Sequence, residues 1–269
     1  MRVAFAKYQG LGNDFVVVRA EDARITAAAA RRLCDRRRGI GADGVLTVSA
    51  PRVSQADVRM HVFNADGSVA QMCGNGLRCV VRFVLGGDGR VAVDTDAGVL
   101  QGHVDGGTVS VTMGHARLTH ANVDAAPFAG VGVSMGNPHL VLDPLAASDD
   151  LMALAREHGP RLERHPQFPE RTNVELCRVR DDGDVDLVVF ERGSGITDAC
   201  GTGASATVAA LAKKGRVPYG EVVTVHLPGG PLGVKIEADD ATLGAVTIAG
   251  DAVHVFDGAI ELAPEELAG

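Results

Sequence analysis

The sequence lacks the features that mark membrane, exported and disulfide-bonded proteins. No apolar run approaches the roughly 18 residues of a membrane-spanning helix, and residues 1–7 are too interrupted to form a signal peptide. The chain has five cysteines and no C-x-x-C pair, so neither a disulfide framework nor a tetrahedral zinc site is expected. We therefore expect a soluble cytoplasmic protein with reduced thiols.

An excess of basic residues is also absent. The formal net charge of −8 argues against a nucleic-acid-binding surface. Hydrophobic residues make up 46% of the chain and charged residues 22%, which is ordinary for a globular protein and favours neither disorder nor a fibre. A chain of 269 residues can form one large domain or two domains of ordinary size.

An internal duplication favours two domains. Cys73 and Cys200 open the same short frame, Cys-Gly-x-Gly, and each frame is followed by an apolar stretch. Phe63 and Phe190 each lie ten residues before their cysteine, and Gly-Asn pairs at 12–13 and 136–137 precede similar apolar segments. One thiol per half, each at a glycine-rich turn, predicts two acid/base groups facing each other across one site.

The local sequence predicts a mixed α/β fold. Short runs rich in Val, Ile and Phe predict strands at residues 15–18, 45–48, 91–93, 109–112, 186–190, 222–226 and 243–248. Helical spacing predicts helices at residues 27–37, 76–85, 151–158 and 203–214. We expect the crossover between the halves at residues 113–125.

The position of the two cysteines suggests acid/base chemistry. Each sulfur should lie at the N-terminus of an apolar helix, where free N–H groups and the positive end of the dipole favour a thiolate. The same N–H groups could instead bind a substrate carboxylate. Packing alone does not require a cysteine in both frames. Cys34, Cys79 and Cys177 lack the frame and are interpreted as core residues.

Polar residues cluster around the two frames. Asn64 lies in an Asn-x-Asp-Gly segment that by itself is typical of a turn, although its amide could also bind a zwitterion. Glu191 and Arg192 could bind an ammonium and a carboxylate, or could simply be solvated on a strand. His139 could set the protonation state of a nearby thiol, or could be structural.

These motifs together resemble the diaminopimelate epimerase family. The resemblance covers essentially the whole chain. It rests on residues 7–15, 39–44, 63–79, 135–139, 171–175, 191–203, 227–230 and 255–258.

The resemblance implies a site and a fold. The family's catalytic thiols fall on Cys73 and Cys200, and the residues thought to tune them fall on His139 and Glu191. Its substrate contacts fall on Asn13, Asn64, Gly74, Asn75, Asn137, Asn173, Glu191, Arg192, Gly201 and Thr202. Many members have Gln at the position of Gly44, so one side-chain contact to the substrate is expected to be missing here or replaced.

The family fold consists of two similar α/β halves, each a curved, barrel-like, mostly antiparallel sheet around a central helix. We expect residues 1–115 and the returning tail 251–269 to form one half, and residues 116–250 the other. The resemblance also implies a homodimer.

The implied reaction interconverts LL- and meso-diaminopimelate for lysine and peptidoglycan synthesis. Inversion at a carbon needs a base on one face and an acid on the other, which two thiols can provide. No motif for a PLP-binding lysine or a metal cluster is evident, so no cofactor is expected. Two alternatives stay open at this stage, a related proline or hydroxyproline racemase and a non-catalytic amino acid binding protein.

Overall fold

The computed structural model describes residues 1–239 and 242–267. The chain divides into two compact units, Met1–Val111 with Gly250–Gly269, and Thr112–Ala249. The first boundary therefore lies four residues before the predicted one, inside a long strand, and the C-terminal tail belongs with the first unit. Among the described residues, no helix is long and apolar enough to cross a membrane.

The first unit is built on a single curved sheet. Its strands are β1 (Arg2–Gly10), β2 (Asn13–Arg19), β3 (Gly44–Ser49), β4 (Val58–Asn64), β5 (Val69–Ala70), β6 (Gly89–Thr95), β7 (Gly98–Asp105), the start of β8 (Thr108–Ala125) and, from the tail, β17 (Val253–Glu261). Its helices are α1 (Ala27–Cys34), α2 (Gly74–Leu85) and the short α5 (Pro264–Leu267). The strand order is β17-β1-β2-β3-β4-β6-β7-β8, with β2/β3 and β4/β6 parallel and the other pairs antiparallel.

The second unit contains a closed ring of eight strands and one further two-residue strand. Its strands are the end of β8, β9 (Phe128–Ser134), β10 (Pro138–Leu142), β11 (Asn173–Val179), β12 (Val185–Glu191), β13 (Gly195–Ile196), β14 (Val222–Leu227), β15 (Gly230–Glu237) and β16 (Gly244–Gly250), and its helices are α3 (Leu151–Leu162) and α4 (Gly201–Lys213). The order is β8-β9-β10-β11-β12-β14-β15-β16, and β16 pairs back with β8.

The two sheets repeat each other strand for strand. The parallel pairs β10/β11 and β12/β14 stand where β2/β3 and β4/β6 stand in the first unit. The register is also repeated, because Val45 pairs with Phe63 as Val174 pairs with Phe190. The predicted two-half fold, with a barrel-like sheet around a central helix in each half, is confirmed.

Each sheet wraps around one apolar helix. The first eight residues of α2 are buried, and α2 contacts strands on all sides of its sheet, including β1, β3, β7 and β17. In α4 nearly every residue from Gly201 to Ala212 is buried, because alanine, glycine and valine leave little bulk on any face. At Gly102 on β7 an added Cβ would lie 2.2 Å from Val81 Cγ2, so this glycine permits close contact with α2.

The chain passes from the first unit to the second within β8, which pairs with β7 through residues 108–111 and with β9 through residues 117–125, so the predicted crossover at residues 113–125 lies in this strand. One sequence-based prediction of helix length is wrong. Helix α1 ends at Cys34 and not at residue 37, because Asp35 is extended and its carboxylate accepts the N–H groups of Arg37 and Arg38. Such a local side-chain bond competes with helix continuation.

Candidate active site

Both framed cysteines are the N-caps of the central helices. Cys73 precedes α2 with extended backbone angles (φ −139°, ψ 119°), and its Sγ accepts the N–H of Gly76 at 3.4 Å. Cys200 precedes α4 in the same conformation (φ −130°, ψ 103°), and its Sγ accepts the N–H of Gly203 at 3.4 Å. A sulfur in this position receives an N–H and the positive end of the helix dipole, and both favour its anionic form.

The second glycine of each frame is required by packing. A Cβ on Gly76 would lie 3.0 Å from Leu46 Cδ2 on β3. A Cβ on Gly203 would lie 3.2 Å from Glu175 Oε1 on β11 and 3.3 Å from Cys200 Sγ. The absence of a side chain therefore lets the helix N-terminus approach both the sheet and the sulfur.

In the first half, two asparagines lie beside the sulfur. Asn13 Oδ1 accepts a hydrogen bond from Asn75 Nδ2 at 3.3 Å and lies 3.9 Å from Cys73 Sγ. Asn13 Nδ2 donates to Asp43 Oδ2 at 2.9 Å, which fixes the orientation of the amide. The third asparagine of this half is Asn64. Its Nδ2 donates to Ser68 Oγ at 2.9 Å within the turn after β4, as expected for a turn residue.

In the second half, a chain of polar contacts connects the sheet to the sulfur. His139 Nδ1 lies 2.6 Å from Glu175 Oε1, and His139 Nε2 lies 3.0 Å from Asn137 Oδ1. Asn137 Nδ2 donates to Thr202 Oγ1 at 3.4 Å, and that hydroxyl lies 3.5 Å from Cys200 Sγ. His139 and Glu175 are fully buried. His139 is therefore connected to Cys200 through Asn137 and Thr202.

The remaining predicted residues of this half hold its loops in place. Asn173 Oδ1 accepts the main-chain N–H of Arg192 at 2.8 Å, and its Nδ2 donates to the carbonyl of Pro138 at 3.1 Å. Glu191 Oε1 accepts the hydroxyl of Thr197 at 2.5 Å. The Arg192 guanidinium donates to the carbonyl of Glu170 at 3.2 Å. Glu191 and Arg192 thus bond to different partners and not to each other.

The environment of Cys200 disfavours its thiolate in the free protein. Burial raises the pKa of Cys200 well above its ordinary value, and the nearby carboxylates Glu191 and Glu175 raise it further. The Thr202 hydroxyl and the Gly203 N–H act in the opposite direction but are outweighed. Two anions beside a buried sulfur therefore favour the neutral thiol.

The other three cysteines are core residues, as predicted. Cys34, Cys79 and Cys177 are buried in α1, α2 and β11. Burial raises the pKa of Cys34 to about 11 and that of Cys79 and Cys177 to about 12. They are therefore inert thiols at neutral pH.

Two fully buried charged residues that contact the predicted site were not among the predicted site residues. Glu175 follows Asn173 in β11, where its neighbours are apolar, and Arg78 lies in α2 with its side chain fully buried. The sequence signal was a single charge inside an apolar strand or helix, which is unusual for a core position. Arg78 Nη2 donates to Asn75 Oδ1 at 3.1 Å, so both residues contact the predicted site.

Gly44 has no room for the side chain that other members carry. It pairs with Asn64 across β3 and β4, and a Cβ would lie 2.7 Å from the carbonyl oxygen of Phe63. A glutamine at this position would require β4 to move.

This chain shares its fold class with two solved structures, one named an epimerase and one a probable racemase. It matches the hydroxyproline epimerase of Agrobacterium vitis with a TM-score of 0.72 at 18% identity, over 98% of this chain and 94% of that one. It matches a probable proline racemase of Agrobacterium radiobacter with a TM-score of 0.73 at 17% identity, over 97% and 93%.

Sequence comparison defines the family within this class. The model of the diaminopimelate epimerase family matches residues 5–119 and 131–255. The diaminopimelate epimerase of Rhizorhabdus wittichii is 41% identical, with 97% of both chains covered, and that of Desulforudis audaxviator is 43% identical, with 94% of this chain and 98% of that one covered. The chain belongs to the diaminopimelate epimerase family and is an isomerase.

Proposed function

We propose that this isomerase interconverts LL-2,6-diaminopimelate and meso-2,6-diaminopimelate, with Cys73 and Cys200 as its two acid/base groups and without a cofactor. The observation that carries the proposal is the duplicated cap: each half has a cysteine at the N-terminus of its buried helix, with a glycine N–H donating to the sulfur. The relatives named for this activity support the choice of substrate.

The stereochemistry explains why one such cysteine is not enough. One thiolate removes the α-hydrogen as a proton, and the electron pair moves into the adjacent carboxylate group. The other thiol then delivers its proton to the opposite face of the same carbon. The protein ends with thiol and thiolate exchanged, so the reverse reaction uses the same pair. Cys73 and Cys200 are proposed to act from opposite faces of one α-carbon.

The helix N-termini supply the stabilisation that this weak carbon acid needs. We assign the substrate carboxylate at the reacting carbon to the N–H groups of Gly74 and Asn75 and of Gly201 and Thr202, at the first turns of the two helices. N–H groups that are fixed before the reaction stabilise the charge that develops on the carboxylate oxygens in the transition state. A site closed to water would strengthen this effect.

The second amino acid end of the substrate needs its own recognition. We assign this role to polar residues around the two caps: Asn13, Asn64, Asn137, Asn173, Glu191 and Arg192. Polar groups that are left unpaired by a smaller substrate discriminate strongly against it. In the cell the reaction would supply lysine and peptidoglycan precursors in the cytoplasm, and we expect the enzyme to act as a homodimer.

The experiment is turnover in D₂O. The protein, dialysed against EDTA and assayed without pyridoxal phosphate, should convert LL-diaminopimelate into meso-diaminopimelate, with deuterium at the inverted α-carbon by NMR. L-proline and trans-4-hydroxy-L-proline should exchange slower by about 10⁴-fold or more. Equal exchange of proline would reassign the substrate, and binding of diaminopimelate without exchange would exclude an epimerase.

A further inference from the structure

Each cap cysteine and its surroundings form a half-site, the first around Cys73 and the second around Cys200. The buried charge lies on the helix in the first half-site and on the sheet in the second. By the shared register, Phe15 and Leu46 occupy the positions of His139 and Glu175, since β2 pairs with β3 as β10 pairs with β11. The packing agrees, because Leu46 contacts the Gly76 position as Glu175 contacts the Gly203 position. The sheet therefore presents apolar side chains near Cys73 and ionisable side chains near Cys200.

The central helices show the opposite pattern: α2 of the first half carries a buried charge, and α4 of the second half has a neutral residue at the equivalent position. Arg78 lies five residues after Cys73, and the residue five after Cys200 is Ser205. The Ser205 hydroxyl donates to the carbonyl of Gly201 at 2.7 Å within α4. The first helix thus carries a buried cation at the position where the second carries a neutral residue.

The guanidinium of Arg78 is incompletely bonded. Its Nε donates to the main-chain carbonyl of Asp251 at 3.3 Å and its Nη2 donates to Asn75 Oδ1 at 3.1 Å. Its Nη1 is buried and has no hydrogen-bond partner among residues 1–239 and 242–267. A fully buried cation in this state is costly to keep, and packing does not require it.

The contacts of Arg78 lead to the first thiol. Arg78 holds Asn75, and the Asn75 amide donates to Asn13 Oδ1, the same oxygen that lies 3.9 Å from Cys73 Sγ. That oxygen also accepts from the Cys73 thiol, a contact that by itself favours the neutral form. The buried positive charge of Arg78 interacts electrostatically with Cys73 and favours the anionic sulfur.

We propose that Arg78 is a positioning residue of the first half-site: it orders Asn75 and supplies the positive charge that keeps Cys73 a thiolate in the resting enzyme. Cys200, beside Glu175 and Glu191, is the resting thiol. The inference rests on the proposed two-thiol function and adds to it which cysteine is the base before substrate binds.

Many charged groups on the elements around α2 have partners of their own, while Arg19 lies over the Phe83 ring and Arg82 lies near Tyr8. Besides Cys73, the titratable groups that interact with Arg78 are the Cys79 thiol and Asp251. The paired groups are Lys7 with Asp14, Asp43 with Arg36, Arg59 and His61 with Asp96, Asp94 with Arg52, His103 with the Gly89 carbonyl, and His254 with Asp257. Arg78 is therefore the buried cation whose charge remains to act on Cys73.

The test is the pH dependence of alkylation in single-thiol enzymes. Cys73 is labelled with iodoacetamide in the Cys200→Ala background, Cys200 is labelled in the Cys73→Ala background, and mass spectrometry follows each peptide. The midpoint of the pH dependence of the alkylation rate should lie at a lower pH for Cys73 than for Cys200. Arg78→Met should raise the Cys73 midpoint by about 1 to 3 pH units, whereas Arg78→Lys should largely preserve it.

A matched control lies on the same helix. Arg82→Met removes a positive charge one turn further from Cys73 and should leave the midpoint unchanged. Circular dichroism and thermal unfolding confirm folding of each variant. If Arg78→Met does not fold, the order of the Cys73 and Cys200 midpoints in the enzymes that keep Arg78 still tests which cysteine is the resting thiolate, and Arg78→Lys tests the role of the charge.

The inference is overturned if folded Arg78→Met keeps the Cys73 midpoint, or if Cys200 reacts at the same pH as Cys73 or lower. Labelling needs no substrate, so its outcome is separate from the proposed function. Failure to turn over diaminopimelate would refute that function whatever the midpoints, and turnover with midpoints insensitive to Arg78 would refute this inference alone.

Discussion

His139 and Glu175 form a fully buried pair, with Nδ1 of the histidine 2.6 Å from Oε1 of the glutamate. Burial raises the pKa of Glu175, and the histidine partly offsets this shift. Glu175 Oε2 has no hydrogen-bond partner among the described residues, so the carboxylate depends on His139. The first half has Phe15 and Leu46 at these register positions, which shows that the fold itself does not need the pair.

Removing one member of the pair should destabilise the protein strongly. His139→Phe leaves Glu175 buried without its partner, and the free energy of unfolding should fall by about 3 to 5 kcal/mol at pH 7. Because the folded-state pKa of Glu175 is raised, the loss should shrink as pH is lowered toward the ordinary carboxyl pKa of about 4.3. Urea unfolding at pH 5 and pH 7 measures both effects.

Replacing both members separates stability from activity. The double variant His139→Phe, Glu175→Leu copies the first half and should unfold within about 1.5 kcal/mol of the unmodified protein. Epimerisation should nevertheless fall by about 10²-fold or more, because the contacts that lead to Cys200 are lost. A double variant as unstable as His139→Phe alone would show that the pair is needed for folding.

Asp14 should give the protein a distinct acid dependence. Its carboxylate contacts Lys7 Nζ at 2.5 Å and Arg36 Nη2 at 2.7 Å. Burial raises the pKa of Asp14, but hydrogen bonds from Arg36 and Lys7 outweigh burial and bring it to about 2. The stabilisation is therefore present above about pH 4 and is lost as pH falls toward 2.

Asp14→Asn tests this directly. The variant should lose about 1 kcal/mol of unfolding free energy at pH 7, a value reduced by solvent screening of Arg36, and the loss should diminish below pH 4. Asp105→Asn, at an exposed strand end, is the control and should show neither effect. An equal loss at pH 3 and pH 7 would contradict the assignment.

The elements that are repeated in both halves could be predicted from the sequence. The interactions that occur in only one half could not. The framed cysteines and the paired phenylalanines gave the duplication, and with it the two central helices and their caps. Glu175 was not predicted as a site residue, because its partner His139 lies 36 residues away and only the parallel pairing of β10 with β11 brings them together. Arg78 was not predicted either, because the helical pattern does not show that its guanidinium reaches the Asp251 carbonyl, 173 residues along the chain.

Local patterns do not show which segments pair. Residues 113–125 were predicted as the crossover between the halves, but not as the end of a strand that begins at Thr108 and pairs with β9 through residues 117–125. The Asn-x-Asp-Gly pattern predicted the turn in which Asn64 is bonded, whereas the local sequence did not show that the Arg192 guanidinium bonds to the Glu170 carbonyl.

Mild oxidation should form a disulfide between the two cap cysteines, Cys73 and Cys200. If Cys73 and Cys200 act on one carbon, their sulfurs must approach closely in the working enzyme, and a disulfide between them should form and abolish activity reversibly. Peptide mapping after oxidation and after reduction identifies the pair. Loss of activity with a link through Cys34 or Cys177, or with no link, would contradict the proposed placement.

The most direct test of the two-thiol account is the single replacement of each cap cysteine. Cys73→Ala and Cys200→Ala should each lose epimerisation by at least about 10² to 10⁴-fold while remaining folded, because inversion then lacks its base or its acid. Cys34→Ala, which removes a buried thiol outside the caps, should keep its turnover. With an analogue that eliminates a leaving group after proton abstraction, each cap variant should still process one isomer. Epimerisation of LL-diaminopimelate at a near-unmodified rate by either folded cap variant would contradict the account.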